Sequence, residues 1–483
     1  MSEFSFFWHD YETFGAVPRR DRPAQFAGLR TDAELNPIDA PVMCYCRPAP
    51  DFLPEPEACL LTGILPQTCL ERGVPEHAFA AAIESQLARP GTVGVGYNSI
   101  RFDDEVTRFL FWRNLIDPYA REWQNQCGRW DLLDVLRCAW ALRPDGIVWP
   151  THEDGRPSFK LEHFTRANGL AHDDAHDALS DVRATLALAR RVKEQQPRLW
   201  DFCLRLRRKD AVRDEIHAAQ AQGRPFLHVS GRYGAERGCI AVVWPLAPHP
   251  VNKNEIIVWD LGQSPSEIPR LDVDSLRRRM FSREQDLPEG VTRLPIKTIH
   301  INKSPVVIAN LKTLTPQMAR RWGIDMDQAL RHADEAARHA GLLAGMWGEV
   351  FERPSAERRP DAEEDLYGGF VGNEDRRTLQ RLRALSPAQL ADRRLAFVDP
   401  RLDELVLRYR ARNFPHSLSA AEQAQWQQWR TERLRDGAGG ALDMRRFGER
   451  LDELAATADE RGVAVLSALR DYAASIAPEG SAM

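Results

Sequence analysis

The chain has 483 residues, 43% of them hydrophobic and 28% charged, an ordinary globular composition with material for more than one core and a length prior of about three domains. A net charge of -5 and a pI near 6.3 exclude a uniformly basic nucleic-acid binder and leave only a local basic channel. The eight cysteines contain no C-x-x-C pair, which argues against a zinc ribbon and for small buried hydrophobes in a reducing compartment. The start of the chain carries no basic leader, and no stretch approaches the roughly 20 apolar residues that cross a bilayer. The expected location is the cytoplasm, without membrane contact.

Residues 1–195 alternate strand-like runs with amphipathic segments. Phe4–Trp8, Pro41–Cys46 and Thr92–Tyr97 read as strands, and Asp104–Asn114, Leu132–Leu142, Leu161–Asn168 and Ala178–Glu194 have helical apolar spacing. This mixture predicts an α/β domain. Residues 197–350 hold β-rich runs at Phe226–Ser230, Cys239–Trp244, Glu255–Trp259 and Pro295–Ile301, separated by Gly, Pro and Asn. They predict a small barrel or sandwich with helices near Asp274–Met280 and Thr315–His339. Residues 355–475 read as all-helical, after a charged linker at Glu352–Glu364, and the tail past Ile476 is expected to fray.

Three acidic elements stand out in the first region. Asp10 and Glu12 are two apart on a strand and therefore point to one side. Two carboxylates held together repel unless a cation lies between them. Asp103 follows the buried run Val93–Tyr97, with Asp104 as its competitor, and either could cap the next helix. His176 and Asp181 open a long helix, with Asp177 as a natural cap. Five helical residues turn about 500°, so His176 belongs in the preceding loop if it faces the same site as Asp181. His172 and Asp177 share that spacing, but Asp181 lies inside the helix, where a ligand is held rigidly. Four acids suit Mg²⁺, a hard cation. Two such ions about 3.5 to 4 Å apart activate water and neutralise charge in phosphodiester hydrolysis. A neutral His176 could take the proton of the attacking water.

The order of Asp10/Glu12, Asp103 and His176/Asp181 resembles the DnaQ-like, or DEDDh, exonuclease superfamily. The run His176-Asp-Ala-Leu is similar to its third motif and favours that pair over His172/Asp177. His9-Asp-Tyr-Glu-Thr-Phe-Gly15, Gly96-Tyr-Asn-Ser-Ile-Arg-Phe-Asp-Asp-Glu105, Arg129-Trp-Asp-Leu-Leu-Asp134, His300-Ile-Asn-Lys-Ser-Pro305 and Tyr409-Arg-Ala-Arg-Asn-Phe-Pro415 resemble the bacterial exodeoxyribonuclease I family. The resemblance implies an α/β ribonuclease H-like exonuclease domain with a mixed sheet (1–195), an SH3-like β-barrel (197–350) and an all-α C-terminal domain (355–475). It implies 3′ to 5′ degradation of single-stranded DNA to 5′-mononucleotides in DNA repair. Mg²⁺ is the implied cofactor, with Mn²⁺ as a substitute. The implied partner is the C-terminal tail of the single-strand-binding protein, and the expected state is a monomer. Ahead of Leu161-Glu-His163 the family motif carries Arg where this chain has Lys160, which keeps a point charge but loses bidentate geometry.

Single-strand binders combine cations with aromatics. The expected substrate contacts are Glu12, Arg108, Tyr119, Trp123, Arg137, Lys160, Lys297, Asn302 and Lys303, whereas Phe109 and Trp112 read as core. Arg408 and Arg412, four apart on one helix, read as a solvated cationic face, a wall of a DNA channel or a dock for an acidic, apolar tail. An exoribonuclease or a non-catalytic single-strand binder are the rival readings.

Overall fold

A computed structural model describes residues 4–172, 177–352, 360–391 and 396–478. Packing divides the chain into two compact units that do not follow chain order. The first unit combines residues 1–128, 172–183 and 357–483, and the second combines 129–171 and 184–356.

The first unit is built on strands β1 (Ser5–Thr13), β2 (Pro23–Thr31), β3 (Val42–Tyr45) and β4 (Thr92–Gly96), in the order β3-β2-β1-β4. β1 runs antiparallel to β2 and parallel to β4, the mixed sheet expected. β2 is a strand that the sequence reading missed. It is buried along its whole length, so it shows no apolar–polar alternation, and Pro23 and Gly28 disguise it. Phe7, Tyr11 and Phe26 of the sheet share one core with Phe79, Ile83, Leu110 and Phe111.

The helical C-terminal region closes two further cores against this part. Phe14 and Phe52 pack with Leu434, Phe447, Leu469 and Tyr472. Phe109 and Trp112 pack with Leu366, Leu402, Leu405 and Tyr409, the core role expected of them. The charged segment expected to be a linker is partly interior. Residues 353–359 lie outside the described residues, but Glu363 is buried and bonds Arg22 Nη2 at 2.7 Å and Arg412 Nη1 at 2.5 Å. Arg412 also holds Asp51 at 2.7 Å, and Arg408 holds Asp361 at 2.6 Å. The Arg408/Arg412 pair is therefore neither a solvated face nor a docking stripe. Both side chains are buried in carboxylate pairs and lie against the Trp429 ring. Burial alone would raise the Glu363 pKa, but Arg412, Arg22 and Arg408 hold it well below the usual carboxylate range. The tail beyond Ala477-Pro478, expected to fray, lies outside the described residues.

In the second unit, β5 (Gly128–Asp131) leads into the helix Leu132–Leu142, which Asp131 caps by accepting the Leu133 N–H at 3.0 Å. β5 starts on the last residue of the first unit. β6 (Phe226–Val229), β7 (Ile240–Pro248), β8 (Glu255–Asp260), β9 (Ile296–His300) and β10 (Val306–Ile308) form an antiparallel sheet in the order β10-β6-β7-β8-β9. The expected barrel is thus a curled sheet, with a register shift between Pro245 and Ala247 that bends β7. The expected helix over 315–339 is two helices, Pro316–Arg321 and Met326–His339, broken where Gly323 takes a φ of 65°.

Candidate active site

The site is assembled from β1 and the first turns of two helices, all in the first unit. Asp10 lies opposite Ala27 of β2, and Glu12 lies opposite Gln25. Pairing becomes irregular immediately after Glu12, at the end of the strand. Buried Gln25 then docks the Asp181 helix beside it. Its Oε1 accepts the Ala178 N–H at 3.1 Å, and its Nε2 donates to Asp177 at 3.1 Å. Asp177 caps that helix by accepting the N–H groups of Leu179 and Ser180 at 3.2 and 3.1 Å, the role expected of it. Carboxylate oxygens of Asp10, Glu12 and Asp181 come within 4.8 Å of one another.

Asp103 is the first residue of the helix Asp103–Arg113, and its Oδ1 accepts the Tyr11 N–H at 3.2 Å. The Tyr11 hydroxyl meets Thr107 of the same helix at 2.9 Å, so the residue between the two β1 acids ties the strand to the helix twice. The expected capping role of Asp103 or Asp104 is corrected here. Phe102 holds the cap position, and its side chain makes no cap hydrogen bond. Asp104 instead accepts Arg121 Nη2 at 2.6 Å, with both side chains buried. Asp103 stands near the positive end of the helix dipole and close enough to Asp10 to raise its pKa.

The electrostatics report crowding. The Asp10 pKa is raised well above its ordinary value, first by burial and then by Asp103, Glu12 and Asp181. Glu12 is pushed up to about 9, again by burial first and then by Asp181 and Asp103. Carboxylates this close ionise together only when a cation offsets their repulsion. An all-oxygen donor set on rigid backbone suits a hard divalent ion. His172 Nε2 lies 2.5 Å from Asp181 Oδ1, so the rival histidine pairs with Asp181 and not with Asp177. His176 lies outside the described residues.

The expected strand contacts divide by exposure. Arg108 is only 5% exposed, with its Nε and Nη2 on Glu122 at 2.7 and 2.9 Å and its Nη1 on Glu105 at 2.7 Å. Tyr119 is half-buried above the Arg108 guanidinium, whereas Trp123 is 67% exposed. In the second unit, Arg137 bonds Asp134 at 2.7 Å, and Lys160 is mostly exposed beside Glu162 at 3.6 Å. Lys297 lies over the Tyr233 ring at 5.3 Å on edge strand β9, and burial lowers its pKa. The Asn302 carbonyl accepts Arg129 Nη2 at 3.1 Å, and Lys303 is half-buried. Gln25, Tyr11 and Thr107 were not among the expected site residues. A polar residue opposite Glu12 would have been the signal for Gln25, but it required knowing that β2 exists.

A mixed sheet that gathers carboxylates able to hold a divalent ion, with an acid supplied by each of two helices, fits a metal-dependent exonuclease. The family model for an exonuclease domain matches residues 7–189, that for the exonuclease I SH3-like domain matches 207–353, and that for the exonuclease I C-terminal domain matches 360–476. The chain is 43% identical over 478 residues to exodeoxyribonuclease I of Escherichia coli K12, covering 98% of each protein. The solved exonuclease I of Methylocaldum szegediense superposes with a TM-score of 0.93 at 46% identity, covering 98% of this chain and 99% of that one. E. coli exonuclease I bound to a dA16 oligonucleotide gives 0.93 at 42% identity, covering 98% and 100%. A structure of the exonuclease I–SSB pair with an inhibitor gives 0.89 at 41% identity, covering 98% and 100%. The chain belongs to the exodeoxyribonuclease I family. Among the described residues, no helix is long and apolar enough to cross a membrane.

Proposed function

We propose that this protein is a Mg²⁺-dependent exonuclease that removes 5′-mononucleotides from the 3′ end of single-stranded DNA. The observation that carries the reading is the convergence of Asp10, Glu12 and Asp181 within 4.8 Å, beside Asp103. Two Mg²⁺ ions, when bound, supply an activated water and neutralise charge on the attacking and leaving oxygens, with Mn²⁺ as a substitute. Asp10, Glu12 and Asp181 hold the ions. Asp103, oriented by the Tyr11 N–H, completes the cage, and Glu12 also faces the substrate. His176 takes the proton of the attacking water. Trp123 and Tyr119 in the first unit stack bases, while Lys160, Arg137, Lys297, Asn302 and Lys303 in the second contact phosphates and sugars. Any direct contact by Arg108 has to share donors that already hold Glu105 and Glu122.

The proposed partner is the acidic, apolar tail of a single-strand-binding protein; a related exonuclease I is solved together with SSB. With Arg408 and Arg412 buried, the better-fitting dock is a cavity of about 420 Å³ in the second unit. Leu142, Leu199, Phe202 and Ile308 line it beside Arg143 and Arg198. Apolar walls with two guanidiniums suit a peptide that ends in hydrophobic residues and carboxylates.

End-labelled single-stranded DNA, duplex DNA and RNA, each incubated with Mg²⁺ or EDTA, test the activity. The expected outcome is Mg²⁺-dependent shortening of the single-stranded DNA from its 3′ end. Cleavage from the 5′ end, or a preference for RNA, overturns it.

A further inference from the structure

Asp10 and Glu12 share one strand, so the backbone of β1 fixes their separation. Asp181 comes from a different element, the helix Ala178–Gln195. Its position against the other two depends on how that helix is held to the sheet. His172 orients the Asp181 carboxylate itself, whereas a buried amide on the neighbouring strand places the helix that carries it. Gln25 lies on β2 opposite Glu12 and is only 1% exposed. Its Oε1 accepts the N–H of Ala178, the first residue of the helix, at 3.1 Å. Asp181 follows three residues later, about 4.5 Å of helix rise, so a bond that fixes Ala178 fixes the carboxylate one turn on.

The amide can be inserted in one orientation only. Asp177 Oδ1 accepts the Leu179 and Ser180 N–H groups, and its Oδ2 accepts Gln25 Nε2 at 3.1 Å. Nε2 also reaches the Tyr45 hydroxyl at 3.2 Å and Met43 Sδ at 3.4 Å, both on β3. Turning the amide over would set oxygen against the Asp177 carboxylate and NH2 against the Ala178 N–H. Glutamine supplies a donor to one group and an acceptor to the other, whereas ionised glutamate supplies acceptors alone and leucine supplies neither.

We propose that Gln25 is a positioning residue of the metal site, which sets Asp181 against Asp10 and Glu12 by clamping the first turn of its helix to β2. The inference rests on the proposed metal-dependent activity. Mg²⁺ demands near-ideal octahedral geometry, so its site tolerates little drift of one ligand relative to the others. Groups that orient metal ligands from outside the coordination shell typically carry about ten- to a hundredfold in affinity.

Three measurements test the role. Mn²⁺ binding to the DNA-free protein is read from loss of the free-ion EPR signal. Melts in EDTA report the fold, and single-turnover rates at saturating Mg²⁺ report the chemistry. Gln25→Leu, of similar size but without the clamp, should weaken Mn²⁺ binding about tenfold or more. Its rate at saturating Mg²⁺ should also fall roughly tenfold or more, since a misplaced ligand is not corrected by more metal. If that variant does not fold, Gln25→Asn, one methylene too short to span both partners, carries the same expectation. The double variant Gln25→Glu, Asp177→Asn exchanges donor and acceptor across the same contact. It keeps the net charge of the native pair and leaves a good helix cap, so both readings should recover to within about threefold of native. A lower Tm with unchanged Mn²⁺ affinity and rate would make Gln25 a structural residue only and overturns the proposal. Failure of the double variant to improve on Gln25→Leu overturns it as well. If Asp10→Asn leaves Mn²⁺ binding as in the native protein, the metal-site reading fails. If Asp10→Asn abolishes binding while Gln25→Leu matches the native protein, this inference alone fails.

Discussion

Arg121 Nη2 donates to Asp104 Oδ1 at 2.6 Å, and both groups are buried. This one ion pair occupies Asp104, the competitor of the acid that the sequence favours, Asp103. Asp104→Asn should destabilise the protein by about 3 kcal/mol, because it strands a buried guanidinium. Asp103→Asn should leave stability nearly intact but lower turnover by roughly a hundredfold or more, through loss of transition-state charge stabilisation. Urea unfolding beside single-turnover kinetics separates the two, and the reverse pattern would reject the assignment of Asp103 to the cage.

The two histidines near Asp181 should fail differently. His172→Ala removes the group 2.5 Å from Asp181 Oδ1, so the carboxylate is less well held and the Mg²⁺ concentration for half-maximal rate should rise several-fold. At saturating Mg²⁺ its turnover should recover to within a few-fold of native. His176→Ala removes the proposed base, so turnover should fall by about 10² to 10⁴ at every Mg²⁺ concentration. A Mg²⁺ titration of both variants decides; rescue of His176→Ala by metal would contradict its role as base.

The raised carboxyls make metal-free stability pH-dependent. Glu12, at about 9 in the folded state against 4.5 as its ordinary value, keeps its proton where the unfolded chain has lost it. The folded state binds more protons between those values, so its stability falls as pH rises from about 4.5 to 9. Mg²⁺ competes with those protons and should give its largest increase in Tm at the alkaline end. Thermal melts in EDTA and in Mg²⁺ from pH 5 to 9 check this. A Mg²⁺ effect that shrinks with pH would show that these carboxyls are not the ligands.

Arg412 links Asp51 of the sheet-containing part to Glu363 of the helical region. Arg412→Ala leaves two buried carboxylates without their main partner and should cost about 3 to 5 kcal/mol. Both parts should lose stability together, since they share cores. Hydrogen exchange should show faster opening at Phe52 and at Tyr472, which lie in one such core. An effect confined to the helices around Arg412 would mean that the network does not couple the two parts.

Much of the site was legible because backbone geometry is local. Alternation along β1 places Asp10 and Glu12 on one side, and the cap at Asp177 sets where the Asp181 helix begins. What stayed hidden depended on partners distant in sequence. Arg408, Arg412 and Arg108 look like solvated or DNA-facing cations until Asp361, Glu363, Asp51 and Glu122 are found against them. β2 was illegible because burial on both faces removes the period on which strand recognition relies.

By itself, the sequence determined the chemistry: which acids can share a face, which cation they suit, and the family whose motifs they match. These follow from residue type and from backbone periods of 2 and 3.6, which act over a few positions. Only the tertiary structure showed that Asp104 is bound to Arg121 and that His172 approaches Asp181. It also decided that the arginines of the Arg408 helix are interior and that Gln25 reaches the Asp181 helix. Most of those outcomes depend on a group tens to hundreds of residues away. Close contact across such separations is created by burial of the shared cores, and the local pattern carries no record of it.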